Sequence, residues 1–233
     1  MGQPAVLNQS AGAGLGLHVS RTADGRTNPA SGQTTGGGDS NDQSSASAGG
    51  GTPGAHEPTS SVYDNPLRAI SGLIPERIDQ GVDFGGTGPI YAIGDAVITK
   101  ATSSNYGWPG GGWITYRLTD GPAAGLTVFV AEDVLPTVSV GATVTPQTVI
   151  AKMYDGGAGI ETGWAMASGF TAESQTPEAG SISGVGPYPT EIGLNFEELL
   201  QALGVPAGNN RSDFAYGLLP AGYPTDWTAA LRS

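Results

Sequence analysis

Residues 76–85 read ERIDQGVDFG, and this stretch holds two aspartates with a glycine midway between them. In an extended strand the side chains repeat every second residue, so Asp79, Gly81 and Asp83 share one face. Glycine inside a strand often marks a place where another group approaches the backbone closely. The stretch therefore indicates either the edge of a functional site or a solvated strand face with a bulge.

The sequence on both sides of this stretch predicts a β-rich domain. Alternating or apolar runs, bounded by Gly, Pro or Asp-Gly turns, follow one another at the spacing of an antiparallel sandwich or sheet. The runs lie at 77–84, 89–101, 112–119, 126–134, 142–155 and 159–167. We expect an all-β antiparallel domain over residues 77–168, preceded by a short opening segment over residues 61–76.

The C-terminal stretch, residues 169–233, has a different pattern. In GLNFEELLQALGVP, residues 193–206, Asn195 is typical of a helix N-cap and the following leucines recur at helical spacing. Gly204 and the proline after it are typical of a helix end. The sequence predicts a loop and then a short helical appendix, with a second short helix near the C-terminus.

The first sixty residues consist mainly of Gly, Ser, Ala, Thr, Asn and Gln. Such a composition cannot bury enough apolar surface to offset chain entropy, so we expect residues 1–60 to be a disordered arm. The arm contains four acids and two arginines, which leaves a net charge of −10 of the total −12 for residues 61–233. So acidic a domain is a poor match for nucleic acid or for an anionic membrane surface.

Several residue types and signals are missing from the sequence. The chain has no cysteine, which excludes a disulfide scaffold, a Cys-ligated zinc site and thiol catalysis. It has no basic stretch followed by an apolar run at its start, and no apolar run of roughly eighteen residues. We therefore expect neither a Sec-type signal nor a membrane span.

Several runs, taken in order, resemble the lysostaphin-type metallopeptidases, zinc enzymes that cut peptide cross-links in bacterial cell walls. DQGVDFGGTGPIYAIGDAVITKA (79–101) is similar to the first segment of that family, and VSVGATVTPQTVIAKM (138–153) to its closing pair of strands. VFVAEDV (128–134) lies where the family has Tyr-Ala-His-Leu, and GIETGWA (159–165) where it has His-Leu-His. The resemblance covers about residues 77–167 and implies a lysostaphin-like β-sandwich.

The resemblance also implies where a metal site would lie. Asp79 stands at the position of the family's first metal-binding His, and Asp83 keeps its metal-binding Asp. Glu132 replaces the His of Tyr-Ala-His, and Glu161 replaces the third metal ligand.

This replacement of ligands does not favour zinc. The only histidines, His18 and His56, lie in the arm, and a catalytic zinc site normally takes several imidazole or thiolate ligands. We therefore expect no zinc and no conventional zinc peptidase activity.

Four acids, Asp79, Asp83, Glu132 and Glu161, would thus share one groove, and three interpretations stay open. Oxygen ligands suit hard cations such as Ca²⁺, Mg²⁺ or Mn²⁺. Alternatively, Glu132 and Glu161 are acid and base, or nucleophile, of a hydrolase, with the two aspartates tuning their pKa values. Finally, the acids only hydrogen-bond a ligand.

Aromatic residues near these acids favour a sugar ligand. The loop SSNYGWPGGGWITY, residues 103–116, contains Tyr106, Trp108 and Trp113, and Trp164 follows Glu161 by three residues. Their rings are candidate stacking platforms for a sugar ring. Core packing is the alternative interpretation, above all for Trp113 and Trp164.

The combined observations predict a module that recognises peptidoglycan, or another glycan, on a metallopeptidase-like fold without zinc. The long arm and the missing signal favour a virion or extracellular location, such as a phage tail, where the arm would contact other virion proteins. A carboxylate-based wall hydrolase is the first alternative. A purely structural virion protein is the second.

Overall fold

The computed structural model describes residues 62–103, 112–153, 159–168 and 188–233. These residues form two helices and nine strands, and all of the strand pairs are antiparallel. The helices are α1 (Glu191–Ala202) and α2 (Trp227–Ala230). The strands are β1 (Ser71–Ile78), β2 (Val82–Tyr91), β3 (Ala96–Thr102), β4 (Gly112–Leu118), β5 (Thr127–Glu132), β6 (Val134–Pro136), β7 (Thr143–Val144), β8 (Val149–Met153) and β9 (Ile160–Ala165).

The fold class predicted from the sequence, an all-β antiparallel domain with a short helical appendix, is confirmed. The strands pair in the order β6-β8-β2-β9-β5-β4-β3-β7, and β1 pairs with β2 outside this path. The predicted arm, residues 1–60, lies outside the described residues. Within the described residues no helix is long and apolar enough to cross a membrane.

Strand β2 connects the sheet because it pairs with three different strands. Its residues 82–84 pair with β9, and its residues 88–91 pair with β8. Strand β1 pairs with it between Val82 and Thr87. As a result Asp83 lies at a point where β1, β2 and β9 meet.

The central strands β4, β5 and β9 are buried on both faces of the sheet. Val128 and Val130 belong to the large core, whereas Phe129 and Ala131 belong to a smaller cluster with Trp113 and Ala165. Alternate residues of a strand point to opposite faces, so the two clusters lie on opposite sides. Glu161 pairs directly with Ala131 and therefore lies on the face of the smaller cluster.

Helix α1 begins earlier than the sequence pattern indicates. Its N-cap is Thr190, whose hydroxyl accepts a hydrogen bond from the backbone N–H of Gly193 at 2.9 Å. The expected cap, Asn195, lies inside the helix, where its side chain accepts a hydrogen bond from Trp164 Nε1 at 3.0 Å. The predicted end is confirmed, since the helix stops at Ala202 and Gly204 has a φ of +85°.

The opening segment contributes more to the sheet than expected. Residues 71–75 already belong to β1, although the sequence places a glycine and a proline within this strand. Irregularities in the pairing of β1 with β2 accommodate them. This strand carries Arg77 to the face of the sheet where the two acids lie.

Candidate functional site

Three of the four acids converge at the meeting point of β1, β2 and β9. One carboxylate oxygen each from Asp79, Asp83 and Glu161 lies within 4.8 Å of the other two. The sheet register explains this arrangement, because Asp83 and Glu161 are direct partners across β2 and β9. Asp79 lies in the turn between β1 and β2, where its Oδ1 accepts a hydrogen bond from Gln80 N at 2.6 Å. We call these three residues the acid cluster.

Gly81 allows the acid cluster to form. A Cβ at this position would lie 2.5 Å from the carbonyl oxygen of Thr162 and 3.0 Å from Glu161 Oε1. Contacts of that length with backbone do not occur without a shift of one strand. The close backbone approach predicted for Gly81 is therefore confirmed, and the approaching group is strand β9.

Arg77 supplies the positive charge beside the acid cluster. Its Nη2 lies 2.6 Å from Asp79 Oδ2 and 3.3 Å from Asp83 Oδ2. Burial lowers the pKa of Arg77, but Asp79, Asp83 and Glu161 together outweigh it and raise the pKa above its usual value. Sequence reasoning missed this residue, although Arg77 and Asp79 are two apart in the chain, a spacing that can place them on one strand face.

Glu161 is the most deeply buried member of the acid cluster, with 3% of its surface exposed. Its Oε2 accepts a long hydrogen bond from Gln80 Nε2 at 3.4 Å, and its Oε1 has no hydrogen-bond partner among the described residues. Burial raises the pKa of Glu161 well above its usual range, and the nearby Asp79 and Asp83 raise it further. A buried carboxyl group in this position holds a proton more firmly than one in water.

Asp83 also holds its proton to an unusually high pH. Burial and the charge of Asp79 raise the pKa of Asp83 to about 8, against the opposing effect of Arg77. Its side chain keeps 18% of its surface exposed. Asp83 therefore connects the buried part of the acid cluster with solvent, and near neutral pH it is a proton donor.

Glu132 acts on the acid cluster through its charge. It ends β5 directly opposite Ile160, the neighbour of Glu161, and its charge contributes to the raised pKa values of Asp83 and Glu161. Its φ of 76° makes Glu132 the one non-glycine residue with positive φ in the described part of the chain. Such backbone strain persists only where the surrounding structure imposes it.

Two of the four aromatic residues predicted to bind a ligand are core residues. Trp164 is fully buried and packs against Phe196 and Trp227, with ring centroids 5.0 and 5.9 Å away. Trp113 is buried against Phe129, 5.9 Å away. A ring without an exposed face cannot stack on a ligand, which corrects the role predicted for these two tryptophans.

The other two predicted ligand-binding residues, Tyr106 and Trp108, lie outside the described residues. Their role stays a prediction.

The sequence analysis also missed an exposed aromatic cluster in the C-terminal part. Tyr188 and Phe214 are 42% and 53% exposed, and their ring centroids are 5.0 Å apart. Tyr216 joins them, with centroids 6.1 Å from Tyr188 and 5.4 Å from Phe214. We call these three residues the aromatic cluster. The closely spaced aromatics of DFAYG, residues 213–217, are the signal that could have revealed it.

The aromatic cluster is attached to the acid cluster through the backbone. Tyr216 N donates a hydrogen bond to Pro189 O at 2.9 Å, and Glu191 N donates one to Tyr216 O at 2.8 Å. Between these two bonds, Thr190 donates from both its backbone N–H and its hydroxyl to the carbonyl oxygen of Asp79. Thr190 therefore joins the two clusters through the backbone.

The residues present do not fit the zinc ion that the sequence resemblance implies. The acid cluster offers only carboxylate oxygens, and two of them already pair with Arg77. Both histidines of the chain, His18 and His56, lie outside the described residues. Oxygen ligands alone are typical of hard cations and not of catalytic zinc.

Chemically, the site offers acids that hold protons near neutral pH next to a permanent positive charge. Such a group of carboxyls can donate and accept hydrogen bonds with a ligand rich in hydroxyl groups. Proton transfer to and from a substrate is the other chemistry that acids with raised pKa values support.

The fold defines the class of this protein as an all-β antiparallel domain. The chain is similar to lysostaphin, whose NMR solution structure matches with a TM-score of 0.40 and 16% sequence identity. The match covers 69% of this chain and 60% of that chain, so it spans less than two thirds of the lysostaphin structure. No protein-family model and no curated protein matches the chain.

Proposed function

We propose that this chain is a peptidoglycan-recognition domain with a metallopeptidase-like fold and no zinc site. The sequence resemblance over about residues 77–167 to the lysostaphin-type peptidases supports the choice of ligand. The carboxylates in place of the family's metal-binding histidines support binding without zinc chemistry.

The observation that carries the proposal is the exposed aromatic cluster, which Thr190 links through the backbone to the acid cluster. Aromatic rings with exposed faces offer apolar surface on which a sugar ring stacks. Carboxyl groups close to such rings exchange hydrogen bonds with the sugar hydroxyls. A glycan would contact the exposed rings of Tyr188 and Phe214 and the side chain of Asp83, which at 18% is the most exposed of the three acids.

Sedimentation with insoluble peptidoglycan tests this proposal. The wild-type chain should pellet with the wall, and Phe214→Ala should weaken the apparent affinity about fivefold, the effect of losing roughly 1 kcal/mol of stacking. Leu218→Ala is the matched control, because Leu218 is a 67% exposed apolar residue of the same segment outside the aromatic cluster. Equal pelleting of the Phe214→Ala and wild-type chains, or no pelleting of either, would contradict the proposal.

The raised pKa values of Asp83 and Glu161 favour a second candidate, a carboxylate-based wall hydrolase. A protonated acid can protonate the leaving oxygen of a glycosidic bond while another carboxylate attacks or activates water. In this candidate Glu132 and Glu161 are the reacting pair. Wild-type chain in EDTA should then release soluble wall fragments, and Glu132→Gln should abolish release while pelleting persists.

The setting that we propose is a virion, such as a phage tail, or another extracellular location. The Gly- and Ser-rich composition of residues 1–60 supports contact of this arm with other virion proteins, because segments of this kind order over wide surfaces. A chain that neither pellets with the wall nor releases fragments would favour the purely structural role in a virion.

A further inference from the structure

The acid cluster has the dimensions of a cation site. Its three ligand oxygens lie within 4.8 Å of one another, and oxygens that bind one Ca²⁺ ion at 2.3–2.6 Å are at most about 5 Å apart. Glu161 supports this interpretation independently, because it is buried with 3% exposure and its Oε1 has no hydrogen-bond partner among the described residues. An unpaired buried carboxylate oxygen is costly unless a cation or a donor meets it.

Arg77 occupies the side of this site that a metal ion would need. A single nitrogen, Nη2, contacts Oδ2 of both Asp79 and Asp83, 2.6 and 3.3 Å away. A metal ion that binds these two oxygens would use the same lone pairs and would lie close to the guanidinium charge. Since arginine stays protonated at all ordinary pH values, this positive charge is permanent.

The charges of the site agree with a guanidinium group in the place of a metal ion. Three carboxyl groups face a single guanidinium group, whose side chain is 45% exposed and carried by the strand that precedes Asp79. Oε1 of Glu161, the third acid, has no hydrogen-bond partner among the described residues. Removal of Arg77 would leave three acids without this counter-charge.

We propose that Arg77 is a built-in cation in the place of a metal ion, and that its removal turns Asp79, Asp83 and Glu161 into a binding site for a hard divalent cation. This inference goes beyond peptidoglycan recognition and does not rest on it, because it concerns only the side chains of the acid cluster. It also gives a physical reason why the site differs from a zinc centre, since a tethered positive charge already lies against Asp79 and Asp83.

Calorimetric titration of the full chain with MnCl₂ and CaCl₂ tests the inference. After treatment with EDTA and its removal, Arg77→Ala should bind one Mn²⁺ ion at least about tenfold more tightly than the wild type. Arg77→Lys is the matched control, because it keeps the positive charge and should bind as weakly as the wild type. The double variant Arg77→Ala/Asp83→Asn should lose the gain, because it lacks one of the three ligands.

Equal Mn²⁺ affinity of the Arg77→Ala and wild-type chains would overturn the inference, and so would tight binding by the wild type. Circular dichroism shows whether the alanine variant is folded. If it is not, Arg77→Gln provides the same test with a polar side chain of similar length. A rise in thermal stability on addition of Mn²⁺, seen in the alanine or glutamine variant and not in Arg77→Lys, is a second readout.

Discussion

Replacement of Asp83 by Asn should change the pH dependence of stability in a defined direction. Burial and the charges of Asp79, Glu132 and Glu76 raise the pKa of Asp83 from 3.8 to about 8, although Arg77 lowers it. Between these two pH values the folded chain holds a proton that the unfolded chain has lost. The free energy of unfolding of the wild type therefore falls as the pH rises from about 4 to about 8, and this contribution is constant above that range.

The size of the effect follows from the shift of the pKa. Each pH unit inside the range costs the wild type up to about 1.4 kcal/mol through this one group. Over roughly four pH units the wild type loses at most on the order of 6 kcal/mol of its free energy of unfolding. The actual loss is smaller, because solvent screens the partly exposed Asp83. Asp83→Asn keeps the size of the side chain and cannot ionise, so the variant should gain stability relative to the wild type as the pH rises.

Urea unfolding followed by tryptophan fluorescence, repeated from about pH 4 to pH 8, measures this difference. Asp95→Asn is the control, because Asp95 is an exposed acid in the loop between β2 and β3 and shows the effect of removing one surface charge. The stability of Asp83→Asn minus that of the wild type should rise steadily with pH and exceed the rise for the control. A flat difference, or one that falls with pH, would refute the description of Asp83 as a buried acid among like charges.

Two further predictions concern the backbone around the acid cluster. Gly81→Ala should lower the free energy of unfolding by about 1–3 kcal/mol, because its methyl group would press on the backbone of β9. At Gly85, in β2, an added methyl group would meet the end of the flexible Glu76 side chain at 3.3 Å and Ile74 Cβ at an ordinary 3.7 Å, so Gly85→Ala should cost much less in the same chemical unfolding. Glu132→Gly should be more stable than Glu132→Ala by about 1 kcal/mol in thermal unfolding, because glycine adopts a φ of 76° without strain. Equal stabilities within either pair would contradict the corresponding contact or strain.

The sequence predicts the strands well because their patterns are local. Turn residues separate runs of β-branched and aromatic residues, and the observed strands β4, β5, β7, β8 and β9 fall within those runs, whereas β2, β3 and β6 extend beyond them. The spacing of Asp79, Gly81 and Asp83 predicts a shared face, and the antiparallel register then brings Glu161 to Asp83. Strand pairing thus explains why Asp83 and Glu161 converge, whereas Asp79 joins them from the turn between β1 and β2.

Other features depend on tertiary contacts that no local pattern contains. Trp164 is buried because α1 and α2 pack over it. Asn195 does not cap the helix, because its side chain accepts a hydrogen bond from the indole of Trp164. Strand β1 forms despite an internal glycine and proline because the edge of β2 pairs with it. The ion pairs of Arg77 likewise depend on the turn at Asp79, which only the folded chain defines.

The central claim is that a glycan binds to the aromatic cluster and the acid cluster, and NMR titration of the ¹⁵N-labelled chain with soluble peptidoglycan fragments tests it most directly. The account predicts saturable shifts concentrated at Tyr188, Phe214 and Tyr216, extending through Thr190 to the amides around Asp79 and Asp83. The absence of shifts, or shifts confined to residues remote from both clusters, would contradict it.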